Sequence, residues 1–361
     1  MEMVVERFEH GGDIYTHKGV LDFSASINPL GMPPASVEAI REHAAHFDVY
    51  PDREYRELRA ALAEHEGVRP EQVICTAGAS DLFQRLCFAV RPQAAMVTAP
   101  CFSGYEEALE QNGIEIVRHE LKAADGFDLT DSILGFGQRG VGILFLCNPN
   151  NPTGLTIDRD LLVRILDEAR ETNVLVALDE CFLGFTHEES AVPLCDDYPN
   201  LLVMSAFTKL YAMAGLRLGY GICSDVELLE RLEAGGQPWA VSEPAQVAGI
   251  AALGVSDWAE RTRAYVDEQR AVLERGLEAC GMRHITGEAN YLMFQCDELL
   301  YEPLLEKGFL IRRCENFVGL DSSWYRIAVR TEEENKAFLA ALSSCVKKGQ
   351  SPFSASGDTE R

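Results

Sequence analysis

The chain is short of positive charge. Its 361 residues carry 57 Asp and Glu against 32 Lys and Arg, a net charge of −25 with the histidines neutral. A nucleic-acid partner needs a basic face for its phosphates, so this balance argues against one. It argues equally against docking on an anionic membrane surface. Long apolar runs are missing too, and nothing approaches the roughly 18 residues of a membrane helix. The opening M-E-M-V-V-E-R-F-E-H has neither the positive start nor the apolar core of a signal peptide. The 11 cysteines are scattered, with no C-x-x-C pair and no Cys/His ligand spacing. No metal site is therefore expected, and the cysteines read as buried, reduced thiols of a cytoplasmic protein. Internal repeats and low-complexity blocks are also absent.

What is present is an ordinary globular composition, long enough for two domains. Short apolar runs at 72–76, 94–99, 114–118, 141–147, 174–179, 201–207 and 218–223 predict strands. Helical patterns at 80–90, 103–112, 158–172 and 225–234 lie between several of them. This alternation predicts an α/β fold with a mostly parallel central sheet sandwiched by helices. The runs 142–146 and 174–178 are apolar on both faces, which suits central strands. Two helices, near 35–47 and 53–66, precede the alternation. After residue 238 come a long helical stretch over 243–280, strands at 291–296, 309–313 and 324–329, and a closing helix at 331–346. These suggest a large domain over 46–240 and a smaller α+β domain built from both chain ends, 1–45 and 241–346. The polar, Gly/Ser-rich tail 347–361 reads as disordered.

Chemistry concentrates at the predicted strand ends, where sheets of this kind bind ligands. The stretch S-A-F-T-K-L-Y-A-M-A-G-L-R-L-G-Y (205–220) places Lys209 behind an apolar strand and Arg217 eight residues on. A lysine closing a buried strand is costly unless it is paired or used covalently. A Schiff base with pyridoxal phosphate is one such use. The rest of the constellation suits that cofactor. Gly78, Ala79 and Ser80 form a small-residue turn opening a helix, a natural phosphate site that Arg217 would complete. Ser205 and Thr208 are further hydroxyl candidates. In N-P-N-N-P-T-G (148–154), Asn151 would donate to the phenolate oxygen. Asp179, at the foot of an all-apolar strand, would pair with the protonated pyridine nitrogen. Phe102, in P-C-F-S-G-Y, would stack on the ring.

These residues resemble the fold-type I pyridoxal phosphate enzymes, the aspartate aminotransferase superfamily. Within it the chain resembles the branch of histidinol-phosphate aminotransferases and L-threonine-O-3-phosphate decarboxylases. The resemblance runs from about His10 to Val346, and the decarboxylases are the nearer match. It rests on H-G-G-D (10–13), L-D-F-S-A-S-I-N-P-L-G-M-P (21–33), Y-P-D (50–52), L-C-N-P-N-N-P-T-G (146–154) and G-L-R-L-G-Y (215–220). It continues in P-W-A-V-S (238–242), A-N-Y-L (289–292), L-I-R-R-C-E-N-F-V-G-L-D (310–321) and Y-R-I-A-V-R (325–330). Aminotransferases of the branch usually carry tyrosine where this chain has Phe182 and Phe102. One departure stands out. Three residues before the lysine the family tends to have Ser or Thr, and here stands Ala206, so Ser205 is the candidate substitute.

The resemblance implies a homodimer with shared active sites, in which Tyr50 reaches the cofactor phosphate of the neighbouring subunit. It implies that Arg326 and Arg312 hold two acid groups of a substrate, with His10 and Asn28 lining the same pocket. The activity expected is decarboxylation of O-phospho-L-threonine to 1-aminopropan-2-yl phosphate, for the cobalamin side chain. Alternatives are a histidinol-phosphate-type aminotransferase, a phosphoserine decarboxylase and a non-catalytic pyridoxal phosphate-binding regulator.

Overall fold

A computed structural model describes residues 10–346, so the tail 347–361 and the first nine residues lie outside the described chain. The chain begins with a short strand, β1 (Leu21–Asp22), and two helices, α1 (Pro34–His43) and α2 (Arg56–Glu66). Gly67, in the left-handed region at φ 70°, stops α2. The expected alternation comes next: β2 (Val73–Thr76), α3 (Ala79–Val90), β3 (Ala94–Ala99), α4 (Gly104–Gln111), β4 (Glu115–Glu120) and β5 (Ile143–Cys147). It continues with α5 (Arg159–Thr172), β6 (Leu175–Asp179), β7 (Leu201–Ala206), β8 (Gly219–Ile222) and α6 (Val226–Ala234). Asp158 and Asp225 cap α5 and α6 by accepting from Leu161 and Leu228 N–H, which fixes where those helices start.

Beyond these lie α7 (Glu243–Leu253), α8 (Trp258–Ala279), β9 (Arg283–Ile285), β10 (Tyr291–Gln295) and α9 (Tyr301–Glu306). The described chain closes with β11 (Phe309–Leu310), β12 (Arg312–Arg313), β13 (Trp324–Ala328) and α10 (Glu332–Cys345). A reciprocal Thr331–Glu334 capping box starts α10. Two expectations change here. The helical stretch over 243–280 is two helices, broken at Gly254. The strand expected over 309–313 is two strands that join different sheets on either side of Ile311.

Strands β2 to β8 form one sheet in the order β2-β8-β7-β6-β5-β3-β4. All neighbours run parallel except β8, which is antiparallel to both β2 and β7. Every residue of β5 is buried, because apolar clusters cover both faces of the sheet. The carboxyl ends of β2, β5, β6 and β7 meet at one edge, and β8 begins there, with Gly219 opposite both Thr76 and Ala206. Residues distant in sequence are thereby gathered at a single sheet edge.

The second sheet has the order β12-β13-β10-β9 and is antiparallel throughout. One face packs on α8 and α10 together with Phe23 and Phe182. Strand β1 pairs with β11, so the start of the chain is tied to this C-terminal region. Register in the second sheet sets Arg312 directly opposite Arg326. Among the described residues, no helix is long and apolar enough to cross a membrane.

Candidate active site

A cavity of about 280 Å³ opens where the edge of the large sheet faces the small sheet. Its wall at the large-sheet end is the turn from β2 into α3. Gly78 has φ 89°, and a Cβ there would lie 2.6 Å from Nη2 of Arg217. Gly219 approaches as closely from β8: its Cβ would lie 2.6 Å from the Gly78 carbonyl carbon and 2.7 Å from Ala79 N. Glycine is required at both positions for the turn and the arginine to meet. Arg217, itself at φ 58°, donates to the carbonyls of Ala214 (3.2 Å) and Ala77 (3.4 Å). The Asp81 carboxylate braces this turn by accepting from Ala77 N–H at 2.9 Å, and Arg85 holds it with two bonds of 2.9 and 2.7 Å. Ala79, Ser80, Thr208 and Arg217 all line the cavity. A helix N-terminus, two hydroxyls and a guanidinium converging in this way suit a phosphate group.

Asp179 closes the β6 end and is buried. It accepts from Tyr105 Oη at 2.6 Å and from Cys181 N–H at 2.9 Å. Burial pushes its carboxyl above the usual range, and those two bonds pull it back. Such a group gains from a cation at its remaining lone pairs. Phe102 also lines the cavity, in edge contact with Phe83 and Tyr105. Gly104 leaves room for its ring, since a Cβ there would lie 2.4 Å from Phe102 Cε1.

Lys209 comes after β7 and reaches the cavity floor, its Nζ 5.3 Å from the centre of the Phe182 ring. Burial, and then the charge of Arg326, lower its pKa from 10.5 to about 8. The neutral, nucleophilic amine is therefore reached at lower pH than in an ordinary lysine.

The opposite wall is cationic. Arg312 and Arg326 are 4% and 6% exposed and sit on neighbouring strands in direct register. Like charges so placed repel unless an anion joins them. Arg326 donates through Nη1 to Oδ1 of Asn151 and through Nη2 to the Ser24 carbonyl at 3.0 Å. Its Nε is buried without a partner, and among the described residues no carboxylate forms an ion pair with it. Because arginine only donates, the bond also fixes the Asn151 amide with its NH₂ as the remaining donor. Arg312 is gripped by its own loop: Nη1 donates to the Arg313 carbonyl at 2.6 Å and Nη2 to Asn316 Oδ1 at 2.7 Å. His10 stands at the rim, 3.8 Å from Glu107 and tilted against Phe102. Burial lowers its pKa.

Three predicted residues lie elsewhere. Asn28 is buried but does not line the cavity. It donates to the Leu210 carbonyl at 2.6 Å and to Thr262 at 2.9 Å, and so braces the turn that carries Lys209. Ser205 points to the other face of β7, into a separate cavity with Glu180 and Tyr220. Ala206 faces the site, so strand alternation prevents Ser205 from replacing the missing hydroxyl. Tyr50 is 79% exposed and rests on Trp239, outside this cavity. Tyr105, Cys181 and Phe317 went unnoticed in the sequence, because their roles depend on contacts that no local motif encodes.

The model of the family described as aminotransferase class I and II matches residues 18–342. The chain belongs to this family. It is 39% identical to a threonine-phosphate decarboxylase of Salmonella typhimurium, over 92% of this chain and 95% of that one. It is 32% identical to a histidinol-phosphate aminotransferase of Desulfitobacterium hafniense, over 92% and 94%. A solved histidinol-phosphate aminotransferase from Clostridium acetobutylicum superimposes with a TM-score of 0.85 at 28% identity, covering 90% of this chain and 98% of that one. Family and geometry agree on the expected cofactor. The Gly78–Arg217 cradle would suit the phosphate of pyridoxal phosphate, the buried Asp179 its ring nitrogen, the Asn151 amide its phenolate oxygen and Lys209 its aldehyde.

Proposed function

We propose that this member of the family is a pyridoxal phosphate-dependent decarboxylase of O-phospho-L-threonine, forming (R)-1-aminopropan-2-yl phosphate and CO₂ for cobalamin biosynthesis. The observation that carries this reading is the buried cross-strand pair Arg312 and Arg326 on the cavity that holds Lys209. A substrate with two anionic groups matches two adjacent cations, and phosphothreonine carries a carboxylate and a phosphate on adjacent carbons. The 39% identical relative bears the matching name.

Bound pyridoxal phosphate supplies an electron sink for the bond broken at Cα. The protein chooses that bond by positioning. Arg326, nearer Lys209 and fixed by Asn151, would take the carboxylate and orient it for loss. Arg312 and His10 take the phosphate. Lys209 Nζ returns a proton to Cα in place of the departing CO₂. Phe182 stands beside Lys209 without a hydroxyl, so it neither donates to the cofactor nor takes part in proton transfer. In this reading the enzyme is a cytoplasmic homodimer, and exposed Tyr50 reaches the partner's cofactor phosphate. Eleven unpaired cysteines suit a reducing compartment.

The test is a substrate panel without and with 2-oxoglutarate. Phosphothreonine is expected to release CO₂ with no acceptor present. Turnover of histidinol phosphate with 2-oxoglutarate, and no CO₂ from phosphothreonine, would establish the aminotransferase instead.

A further inference from the structure

The proposed substrate differs from phosphoserine by one methyl group, on the carbon that carries the phosphate oxygen. Only three bonds separate that methyl from phosphorus. The group that senses it must therefore adjoin the group that holds the phosphate. In the proposed decarboxylase the buried member of that group is Arg312, with His10 at the rim, and this inference rests on that function.

Phe317 adjoins Arg312. The guanidinium carbon of Arg312 lies 5.2 Å from the centre of the Phe317 ring. Phe317 N–H donates to the Cys314 carbonyl at 3.0 Å, closing the turn that also brings Asn316 onto Nη2 of Arg312. The loop 312–317 thus holds the cation through Nη1 and Nη2 and sets an aromatic ring beside it. The ring is 6% exposed, seated in an apolar cluster with Cys314, Met293 and Trp324, and it also lines the active cavity. Of the other aromatic side chains on the cavity, Phe182 stands beside Lys209, and Phe83 and Phe102 pack with Tyr105, whose hydroxyl bonds Asp179 at the cofactor end; Phe102 also tilts against His10 at the rim. We infer that Phe317 is the specificity-determining residue that reads the substrate methyl, and that Arg312 and Phe317 act as one clamp, with a cationic edge for the phosphate and an apolar face for its neighbour.

One methyl in an apolar pocket discriminates by about 10- to 200-fold. The holoenzyme is expected to prefer phosphothreonine over phosphoserine in kcat/KM within that range. In Phe317→Ala the preference falls towards unity, chiefly through loss on phosphothreonine, and Phe317→Leu lies between. Phe317→Leu preserves the test if the alanine variant does not fold, because it keeps most of the buried volume. Binding provides a second readout. Inhibition by 3-phosphooxybutanoate and by 3-phosphooxypropanoate, which lack the reacting amine, is expected to show the same narrowing ratio. Equal losses on both substrates with an intact ratio would reduce Phe317 to a support for Arg312 and overturn the inference. So would a wild-type enzyme that does not discriminate, while leaving the decarboxylase reading in place. No CO₂ from either substrate in the wild type would remove that reading, and this inference with it.

Discussion

The two sheets meet the same cavity in different ways. The large sheet offers strand ends: Gly78 after β2, Asn151 after β5, Asp179 at the end of β6 and Lys209 after β7. Backbone geometry and short turns fix these groups, and the glycines at 78 and 219 have backbone or Arg217 where a side chain would go. The small sheet offers two side chains, Arg312 and Arg326, set opposite each other by the register of β12 on β13 and held by the 312–316 loop, Asn151 and Ser24. One half is a preformed cradle. The other sets two guanidinium groups side by side by strand register. In the proposed function the first half serves the cofactor and the second the substrate, with the bond between Asn151 and Arg326 joining them, and mutation is expected to separate the two.

Lys209→Ala should show the largest effect. Activity is expected to fall by about 10⁴-fold or more, because nucleophile and proton carrier are lost together. The characteristic absorbance of the lysine-bound cofactor should vanish with it. Arg326→Leu tests the other half. Losing a buried, charge-assisted anchor costs about 2–5 kcal/mol, or roughly 30- to 5,000-fold in kcat/KM. The cofactor spectrum should persist. Loss of cofactor from Arg326→Leu would break the proposed separation.

A smaller effect comes from Lys209 itself. In the cofactor-free protein its pKa is depressed to about 8, against 10.5 for an ordinary lysine. The unfolded chain then binds more protons between those values, so stability rises with pH across that window. Below about pH 8 the cost of the buried ammonium is fully present. Chemical denaturation of the apo-protein should show this rise, and Lys209→Met should lack it. The smallest effect concerns Ala206. Ala206→Ser places a hydroxyl on the cavity side of β7, worth about 0.5–1.5 kcal/mol. Pyridoxal phosphate should then bind about two- to tenfold tighter to the apo-protein, while Ser205→Ala should leave its affinity alone.

The large sheet was legible because its strands are continuous apolar runs and its site residues stand beside them in local motifs. Lys209, Arg217, Asp179, Asn151 and the Gly78 turn each sit at a strand end that the pattern located. The small sheet was less legible. The run 309–313 reads as one strand, yet Leu310 pairs with Asp22 and Arg312 with Arg326. That switch depends on partners about 290 and 14 residues away in sequence, which periodicity does not carry. Ser205 was misjudged by one position, which along a strand moves a side chain to the opposite face. Asn28 was expected to line the substrate pocket, but its amide serves the Leu210 carbonyl. Tyr105 was hidden because its ring stacks on Phe145 in the core while its hydroxyl reaches Asp179.

The central claim is that this cavity breaks the Cα–carboxylate bond and leaves the Cα–H bond intact. O-Phospho-L-threonine deuterated at Cα, incubated with the holoenzyme and no keto acid, tests it directly. Mass spectrometry is predicted to find 1-aminopropan-2-yl phosphate that retains the deuterium, in equal amount to the CO₂ released. Deuterium lost to solvent, together with a phosphorylated keto acid in place of CO₂, would contradict it.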